Sequence, residues 1–519
     1  MSSVAAARQG SPSLRLVEPL AALSVVTDLA HGRPPEQALH ATLMSLDVAE
    51  RLGEGTAVRR DALYVTLLRG LGCTATSHEY AQALGGNDVV VRREGDAIDP
   101  TRPREALRFV RRTAAAQPPG RRVQVYVQGM LRGARVAAEG ARADCEVARR
   151  LSAQLGLAES VSAALYQGFE RWDGRGHPEA LRGDAILVSA RIAAAATVAV
   201  MFDGMLGRES AVAILRDWSG RILDPDVVLA VLGVWSESSE QPAAPDPLVA
   251  VLDREPAPVS QVGDERLDAV ASAFAAVADL KATHLHGHST GVAELAARSA
   301  ALQGFDAAQV TAVRRAALLH DLGRAAVPTG IWERSGALST AEWEAVRLHP
   351  YQSERILARS SALAPLARIA GRHHERLDGS GYHRGCDPAE QDRACRTLAA
   401  ADAFHAMVEP RPHRPAMARD VAARTLRGMP LDAAAVEAVI EAAGEPPRRR
   451  LSWPAGLTER EVEVLRLVVR GMSMRQAAER LTISTSTVHT HLAHVYEKAG
   501  VSTRAAAAVF AMEHGLLEP

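Results

Sequence analysis

The sequence predicts an all-α protein made of three helical units, on three observations. Alanine, leucine, arginine and glutamate dominate most of the 519 residues, and apolar residues recur at i, i+3 and i+4. Strand-like segments are sparse, and Asp88–Glu94 is the clearest of them. Two stretches rich in proline and charged or small polar residues divide the helical pattern and predict linkers. The expected order is a flexible tail (1–16), a first unit (17–235), a linker (236–262), a second unit (263–443), a Pro/Arg linker (444–455) and a C-terminal unit (456–519).

The composition excludes several classes of protein. Lysine plus arginine number 60 against 61 acidic residues, so any DNA binding must come from a local surface. Four cysteines without CxxC spacing argue against a disulfide framework or a cysteine zinc finger. The N-terminus lacks a signal pattern, and the most apolar stretch, Ala185–Val200, is interrupted by Arg191 and too short to span a bilayer. We therefore expect a cytoplasmic protein without a membrane partner.

The first two units share motifs at fixed spacing, which predicts an internal duplication. FERWDGRG (Phe169–Gly176) recurs 205 residues later as HERLDGSG (His374–Gly381), and RIAAAA recurs as RTLAAA at the same offset. Upstream, LLRGLG (67–72) matches LLHDLG (318–323) at an offset of 251. The difference of 46 residues predicts an insertion in the first copy at about 83–129.

Histidines and aspartates cluster in the second copy. Imidazole and carboxylate are the ligands that hold divalent iron, manganese or zinc, and one carboxylate can bridge two such ions. The pattern predicts a metal site for two divalent ions, Fe or Mn, with ligands among His288, His320, Asp321, His349, His373, His374 and Asp402.

Residues 284–414 resemble an HD-GYP domain, the branch of the HD superfamily whose members hydrolyse cyclic di-GMP. The resemblance is carried by AALLHDLGR, HHERLDGSGY, AAADAF and RPHR. It implies that Asp321 is the bridging ligand and catalytic. A metal pair of this kind lowers the pKa of a bound water to about 7 and so supplies the nucleophile for attack on phosphorus. The implied sets are His288, His320, Asp321 and Asp402 for one metal, and Asp321, His349, His373 and His374 for the other.

The same resemblance implies cations for the substrate phosphate. Arg324 stands where the family has a lysine and is expected to be catalytic and to bind phosphate, together with Arg411 and Arg414. The signature proline is missing, because residues 381–383 read Gly-Tyr-His, and His284 replaces the glutamate of trinuclear members. The substrate stays open: cyclic di-GMP, another nucleotide or phosphoester, or a nucleotide that is sensed and not hydrolysed.

The first copy has lost this ligand set. Only one residue at the equivalent positions, Asp144, could bind a metal, so we expect no hydrolysis there. The replacements are Gln37, Arg69-Gly70, Asp144, Gly168-Phe169 and Thr197. Packing against the second copy, dimerisation and ligand sensing all remain open as its role.

The C-terminal unit reads as four short helices. Thr458 and Glu461 form a capping box for the first, Ser473 caps the second, Ser484 or Ser486 caps the third, and Gly500 ends it. The second and third helices make a helix-turn-helix.

This unit resembles the LuxR-type DNA-binding domain over its whole length, from LTEREVEVL to the final helix. In that family the third helix enters the major groove of double-stranded DNA. The resemblance implies DNA contacts by Thr485, Thr487, Val488, His489, Thr490 and Ala493, with Lys498 near the DNA backbone. Arg448–Arg450 would also track the backbone, unless they form a solvated linker. Six arginines and Lys498 face seven glutamates here, which predicts weak phosphate attraction and so binding as a homodimer.

Together these features predict a transcription regulator with a built-in phosphohydrolase that cleaves or senses a cyclic dinucleotide. A non-enzymatic regulator, whose helical units serve as a sensor or dimerisation module, is the alternative.

Overall fold

The computed structural model describes residues 14–117, 119–237, 246–444 and 452–517, and within them the protein is almost wholly helical. The all-α fold class is confirmed. The first copy and the segment after it contain α1 (Val17–Ala30), α2 (Gln37–Arg51), α3 (Thr56–Leu68), α4 (Ser77–Leu84), α5 (Asp88–Gly95), α6 (Pro103–Ala115), α7 (Pro119–Gln154), α8 (Glu159–Tyr166), α9 (Val188–Leu206), α10 (Arg208–Trp218), α11 (Pro225–Glu237) and α12 (Pro247–Asp253).

The second copy and the C-terminal unit continue the helical series. The second copy contains α13 (Asp264–Asp279), α14 (His288–Leu302), α15 (Ala307–Leu319), α16 (Thr329–Trp332), α17 (Thr340–Arg347), α18 (His349–Leu357), α19 (Ala364–Gly371), α20 (Arg393–Val408), α21 (Arg419–Arg427) and α22 (Ala433–Gly444). The C-terminal unit contains α23 (Glu459–Val469), α24 (Met474–Leu481), α25 (Thr485–Ala499) and α26 (Arg504–Glu513). Two short strands, β1 (Leu14–Arg15) and β2 (Gln261–Val262), pair antiparallel just before α1 and α13.

Two sequence-based expectations are wrong in detail. The segment predicted as a strand, Asp88–Glu94, lies in helix α5, where the Asn87 side chain accepts from the Val90 amide at 3.1 Å and caps the helix. The predicted linker 236–262 contains helix α12, capped by Asp246. Three consecutive valines favour a strand, but the Asn87 cap and the burial of Val91 place this segment in a helix. Most of the tail (1–13) and of the Pro/Arg linker (445–451) lies outside the described residues.

Matching glycines show that the two copies share a close backbone approach. A Cβ on Gly323 would collide with the carbonyl oxygen of His349, and a Cβ on Gly72 would collide with that of Asp144. Gly72 and Gly323 are related by the offset of 251, and Asp144 and His349 by the offset of 205. Each copy therefore packs the turn after its third helix equally tightly against the later helix.

A glutamate in the shared DG motif provides a second match. Glu170 accepts the backbone amides of Glu179 and Leu181, at 2.6 and 2.9 Å. Glu375 accepts the amides of Arg384 and Cys386, at 3.3 and 3.1 Å. All three pairs of positions differ by 205 residues, so the same loop is folded by the same buried carboxylate in both copies.

The two copies are interlocked through their first helices. Helix α1 of the first copy packs on the 3-10 turn Leu322–Ala326 and on α18 of the second copy. Helix α13 of the second copy packs in the same way on the turn Cys73–Thr76 and on α7 of the first. One hydrophobic cluster runs through both copies, and the Thr74 hydroxyl donates across the interface to the Val277 carbonyl at 2.7 Å.

A buried ion pair joins the copies. The Lys281 ammonium lies 2.7 Å from the Asp88 carboxylate, and both side chains are fully buried. The other Asp88 oxygen accepts the Thr329 amide at 2.7 Å, and the Thr329 hydroxyl donates to the Lys281 carbonyl at 3.0 Å. Since both charges are fully enclosed, neither can lose its partner without a large cost.

Helix α9 is the only described helix long and apolar enough to cross a membrane. Its mean hydropathy is 1.4, and 61% of its apolar window is buried inside the protein. It packs against α2 and α3, as a core helix does.

Replacing Lys281 tests how much the buried ion pair between the two copies contributes to stability. We expect Lys281→Met to leave Asp88 as an unpaired buried carboxylate, at a cost of about 3–5 kcal/mol. Thermal unfolding followed by circular dichroism should then show a Tm lower by several degrees. Arg135→Ala, which breaks an exposed pair with Glu139, is the control and should leave Tm within about 1 °C. Equal shifts for the two variants would contradict the assigned role of Lys281.

Candidate metal centre

The seven predicted ligand residues lie together in the second copy, six of them at or near helix ends. His288 begins α14, His320 and Asp321 follow α15, and His349 begins α18. His373 and His374 follow α19, and Asp402 lies within α20. Six of them are buried; His374 is partly exposed. Five separate elements therefore bring imidazoles and carboxylates into one enclosed space.

The first group of possible ligand atoms consists of two histidine nitrogens that face one oxygen of Asp321 and one oxygen of Asp402. The Nε2 atom of His320 lies 2.9 Å from Asp321 Oδ2 and 3.7 Å from Asp402 Oδ1. The Nε2 atom of His288 lies 3.5 and 3.2 Å from the same two oxygens. This is the set expected to hold the first metal.

The second group lies on the other side of Asp321. Its Oδ1 atom is 3.2 Å from His349 Nε2 and 3.5 Å from His373 Nε2. His374 has ligand atoms within 4.8 Å of both these histidines, although its Nδ1 is also 3.6 Å from Asp402. The two oxygens of Asp321 thus face two different histidine groups, which is the geometry of a bridging carboxylate.

Backbone carbonyls orient three of the histidines. The Nδ1 atoms of His320, His349 and His373 each lie 2.6 Å from the carbonyl three residues earlier, at Ala317, Val346 and Ala370. In each contact the Nδ1–H group donates to that carbonyl, which leaves Nε2 facing the cluster. The sequence cannot reveal this, because it depends on how each turn ends.

The electrostatics of the cluster fit a cation. Burial disfavours the charged form of His320, but the Asp321 carboxylate outweighs it and raises the His320 pKa to about 10. Burial lowers the pKa of His349 to about 4, so that ring is neutral at pH 7. The Nε2 atoms of His288 and His320, both oxygens of Asp321 and one of Asp402 are buried without a hydrogen-bond partner. Buried polar atoms in this state are costly, and a divalent ion between them would satisfy all of them.

Glu409 is a site residue that the sequence reasoning missed. Its carboxylate lies 2.8 Å from Nδ1 of His288 and 2.9 Å from the guanidinium of Arg411. It therefore holds the His288 ring through Nδ1 and leaves Nε2 of His288 facing the aspartate oxygens. A usable signal was its position two residues before Arg411, in the same loop motif.

The three predicted phosphate arginines behave differently. Arg324 is buried, lies 2.7 Å from Asp321 and has its guanidinium 5.3 Å from the Trp332 ring centroid. Arg411 is partly buried, and its guanidinium lies 3.4 Å from Nδ1 of His288. Arg414 departs from the expectation, because its guanidinium donates to the carbonyls of Ala406, Met407, Glu409 and Pro415 and closes the end of α20. In this conformation Arg414 shapes the loop and does not face the metal cluster.

An aromatic wall borders the cluster. The Tyr382 ring lies 4.2 Å from the His374 ring, centroid to centroid, at an angle of 33°. A cavity of about 330 Å³ extends from Tyr382 to Trp343 and Arg347. Trp343 is 43% exposed there, which is unusual for a large aromatic side chain.

The first copy has a partly buried arginine in place of a metal-cluster histidine. Arg69, in the place of His320, donates to the carbonyl of Gly168, which holds the place of His373, at 2.8 Å. Asp144 is bound by Arg92 and Thr76, both at 2.9 Å, and so is not free for a metal. In the described part of the chain, every group of three or more possible metal ligands belongs to the second copy.

The C-terminal unit contains the predicted helix-turn-helix. Thr458 and Ser473 form capping boxes, Ser484 is the residue that caps α25, and Gly500 ends it in a left-handed conformation. Thr485, Thr487, His489, Thr490 and Ala493 are exposed on α25.

Two of the predicted DNA contacts need correction. Val488 is fully buried in the core of the helix-turn-helix, so its side chain cannot reach a base. Lys498 binds the Glu461 carboxylate at 2.7 Å and the Gly456 carbonyl at 3.2 Å, so in this conformation it is not free to meet a phosphate.

Comparison with known proteins agrees with the geometry. Residues 272–433 match the HD domain family, and residues 455–511 match the bacterial regulatory proteins of the luxR family. The chain is 30% identical to 3'3'-cGAMP-specific phosphodiesterase 3 of Vibrio cholerae, over 78% of this chain and 89% of that protein. It is 40% identical to a cyclic di-GMP phosphodiesterase of Thermotoga maritima, over 25% of this chain and 36% of that protein.

A solved structure gives the same result. The crystal structure of a cyclic GMP-AMP specific phosphodiesterase from Vibrio cholerae matches with a TM-score of 0.58 and 26% identity, over 84% of this chain and 99% of that one. The chain belongs to the HD-GYP-type family of HD-domain phosphodiesterases, and it carries a LuxR-type DNA-binding domain.

Glu409 provides a test of the centre. We expect Glu409→Gln to weaken Mn²⁺ binding about 10- to 100-fold, because His288 loses the carboxylate that orients it and raises its basicity. Competition with a chelating dye measures the affinity. Glu437→Gln, an exposed glutamate of the same copy, should leave it unchanged. Wild-type affinity in Glu409→Gln would show that the contact with His288 has no effect on metal binding.

Proposed function

We propose that the protein is a cytoplasmic DNA-binding transcription regulator whose second copy hydrolyses a cyclic dinucleotide with two divalent ions, iron or manganese. The observation that carries the proposal is Asp321, whose two oxygens face two separate histidine groups. When bound, such ions supply Lewis acidity and make water nucleophilic at neutral pH. His288, His320, Asp321 and Asp402 would hold one, and Asp321, His349, His373 and His374 the other.

The surroundings of the cluster support a nucleotide as substrate. Arg324 and Arg411 place two positive charges beside the donor atoms, where a phosphodiester would lie. The cavity next to Tyr382 offers Trp343 as a flat surface for a base, since stacking on aromatic rings is a common mode of base recognition. Arg347 in the same cavity could meet a second phosphate.

A sensor without turnover is the second candidate. Arg324 is bound to Asp321 and Arg411 to Glu409, so both cations already have carboxylate partners. A bound nucleotide would have to compete with those partners for the arginines. This observation favours ligand binding without rapid cleavage.

Hydrolysis is tested directly. Full-length protein loaded with Mn²⁺ or Fe²⁺ is incubated with cyclic di-GMP and, separately, with 3'3'-cGAMP, and linear products are followed by chromatography. We expect product with at least one of them, and a loss of at least about 100-fold in rate in Asp321→Ala, because both ions lose a ligand. Asp420→Asn, an exposed carboxylate of the same copy, is the control and should retain the rate. No product from protein shown to contain two metals would favour the sensor.

The DNA-binding domain is docked on both copies, which supports a coupled output. Glu146 on α7 accepts the backbone amide and hydroxyl of Ser502, at 2.6 and 2.9 Å. On the second copy, the His286 ring lies 2.9 Å from the Val469 carbonyl. His286 is two residues before the predicted ligand His288, so the segment that positions this ligand also touches the DNA-binding domain.

Removing the contact between Glu146 and Ser502 tests whether metal binding is coupled to DNA binding. In the wild type we expect Mn²⁺ to change the Kd for a duplex selected from a random-sequence library by at least about fivefold, a typical coupling. Glu146→Ala should reduce this to less than about twofold, because Ser502 loses its partner. Glu139→Ala, exposed on the same helix, and Asp321→Ala, which removes the metal response, are the controls. An unchanged metal response in Glu146→Ala would contradict the coupling.

We propose further that the protein is a homodimer that pairs through α7. Val123, Tyr126, Val127, Met130 and Leu131 recur at helical spacing on this helix and are 38–79% exposed. These five residues form an apolar stripe on α7, and we assign a second copy of the chain as the partner that covers it. The other half of the same helix holds the DNA-binding domain, so pairing two α7 helices would fix two DNA-binding domains relative to each other, as a two-fold operator requires.

Introducing charged residues into the apolar stripe tests whether it forms the dimer interface. We expect Val127→Asp combined with Leu131→Asp to convert a dimer into a monomer at micromolar concentration, because two carboxylates would be buried at the contact. Sedimentation equilibrium measures the mass. Arg132→Asp, about half a turn round the helix, is the control. A monomeric wild type, or a dimeric double variant, would exclude this surface.

A further inference from the structure

The first copy contains a large cleft that the proposed reaction does not use. Its volume is about 1150 Å³, and it lies between the segment Gly32–Pro34, the end of α5, helix α6 and Met205 at the end of α9. Helices α5 and α6 belong to the insertion that distinguishes the first copy from the second. A cavity of this size can hold a ligand as large as a dinucleotide.

Arginines dominate its lining. Six arginines face two glutamates there. Arg33 is bound by Asp96, and Arg102 by Glu105 and Asp217. The other four have no carboxylate within 4 Å among the residues that the structure describes; these are Arg93, Arg104, Arg108 and Arg112.

Three of the four unpaired arginines lie on the same face of helix α6. Arg104, Arg108 and Arg112 follow each other at i, i+4 and i+8, so they project from one face of α6 into the cleft. Phe109 and Met205 add apolar surface beside them. Guanidinium groups bind phosphate through paired hydrogen bonds, and apolar or aromatic surface accepts a base.

The cleft lies next to the region of the first copy that corresponds to the metal centre, and it is lined by none of the residues at the seven ligand positions. Arg33 is related by the offset of 251 to His284, four residues before His288. The turn that follows is the same in both copies, because Glu36 and Gly287 adopt a left-handed conformation with φ of 75° and 83°. Arg33 therefore holds the position of His284 at the start of this turn, and the insertion adds further arginines around it.

We propose that the first copy is a receptor for a nucleotide carrying at least two phosphate charges, bound by Arg104, Arg108 and Arg112 with its base on Phe109. The assignment is independent of hydrolysis in the second copy. The first copy lacks the metal ligands and lines this cleft with side-chain cations, so it binds such a ligand without cleaving it.

The test uses full-length protein in EDTA, so that the metal centre does not contribute. Titration calorimetry with cyclic di-GMP and with GTP should show one site per chain for at least one of them. Arg108→Glu combined with Arg112→Glu should weaken that site at least about 30-fold, because two charge-assisted contacts are lost. Arg121→Glu combined with Arg132→Glu makes the same change of charge on α7 outside the cleft and should weaken binding less than about threefold.

Two further measurements test whether the ligand is a nucleotide with its base on Phe109. Inorganic triphosphate should bind at least about tenfold more weakly than the nucleotide, and Phe109→Ala should remove that difference. The absence of binding in EDTA, or equal losses in the two double variants, would overturn the receptor. Equal affinity for triphosphate and nucleotide would overturn the base contact and so the assignment to a nucleotide. The substituted arginines are exposed, and an unchanged Tm checks that each variant is folded.

Discussion

The exchange of first helices between the two copies is the constraint on which the rest of the structure depends. Helix α1 packs on the turn that follows Asp321 and contains Arg324, so a helix of the first copy supports the centre of the second. Helix α13 supports the first copy in return, and the buried pair of Lys281 and Asp88 closes the contact. The first copy can therefore lack the metal ligand set and still have a structural role, because its helix α1 packs on the turn of the second copy.

The residues that the first copy has kept and lost follow from this constraint. Gly72 and Glu170 are kept because backbone packing needs them: no side chain fits at Gly72, and Glu170 folds the loop after α8. Arg69 has replaced a ligand histidine and donates to a carbonyl inside the former site. A side-chain cation there avoids the buried orphan atoms that an empty cluster would leave. The fold is thus retained while its chemistry has been exchanged.

Features encoded within a few neighbouring residues could be predicted from the sequence. The caps at Thr458 and Ser473 and the end of α25 at Gly500 all depend on local hydrogen bonds. Long-range partners could not be predicted. Asp88 pairs with Lys281, 193 residues away, and nothing in the three valines after Asp88 indicates a helix held by that contact.

The site shows the same division between pattern and orientation. The histidine and aspartate pattern is visible in the chain, and the structure brings all seven residues together. The direction of a side chain is not visible: Arg414 turns to the end of its own helix, and Val488 turns into the domain core. Glu409 was missed because a carboxylate near an arginine usually reads as an exposed ion pair, whereas here it also holds His288.

The docking of the DNA-binding domain limits how the proposed regulation can act. Thr485, Thr487, His489 and Thr490 are exposed while the domain is bound to both copies, so docking does not cover the surface assigned to DNA. Burial of these side chains by docking is therefore not the mechanism. The remaining variable is where the recognition helix stands relative to the rest of the molecule and to a second copy. A ligand changes that position only if it favours one arrangement of the contact between His286 and Val469 over another. The segment 284–287 leads directly into His288, so occupancy of the metal centre and placement of the DNA-binding domain depend on the same four residues of backbone.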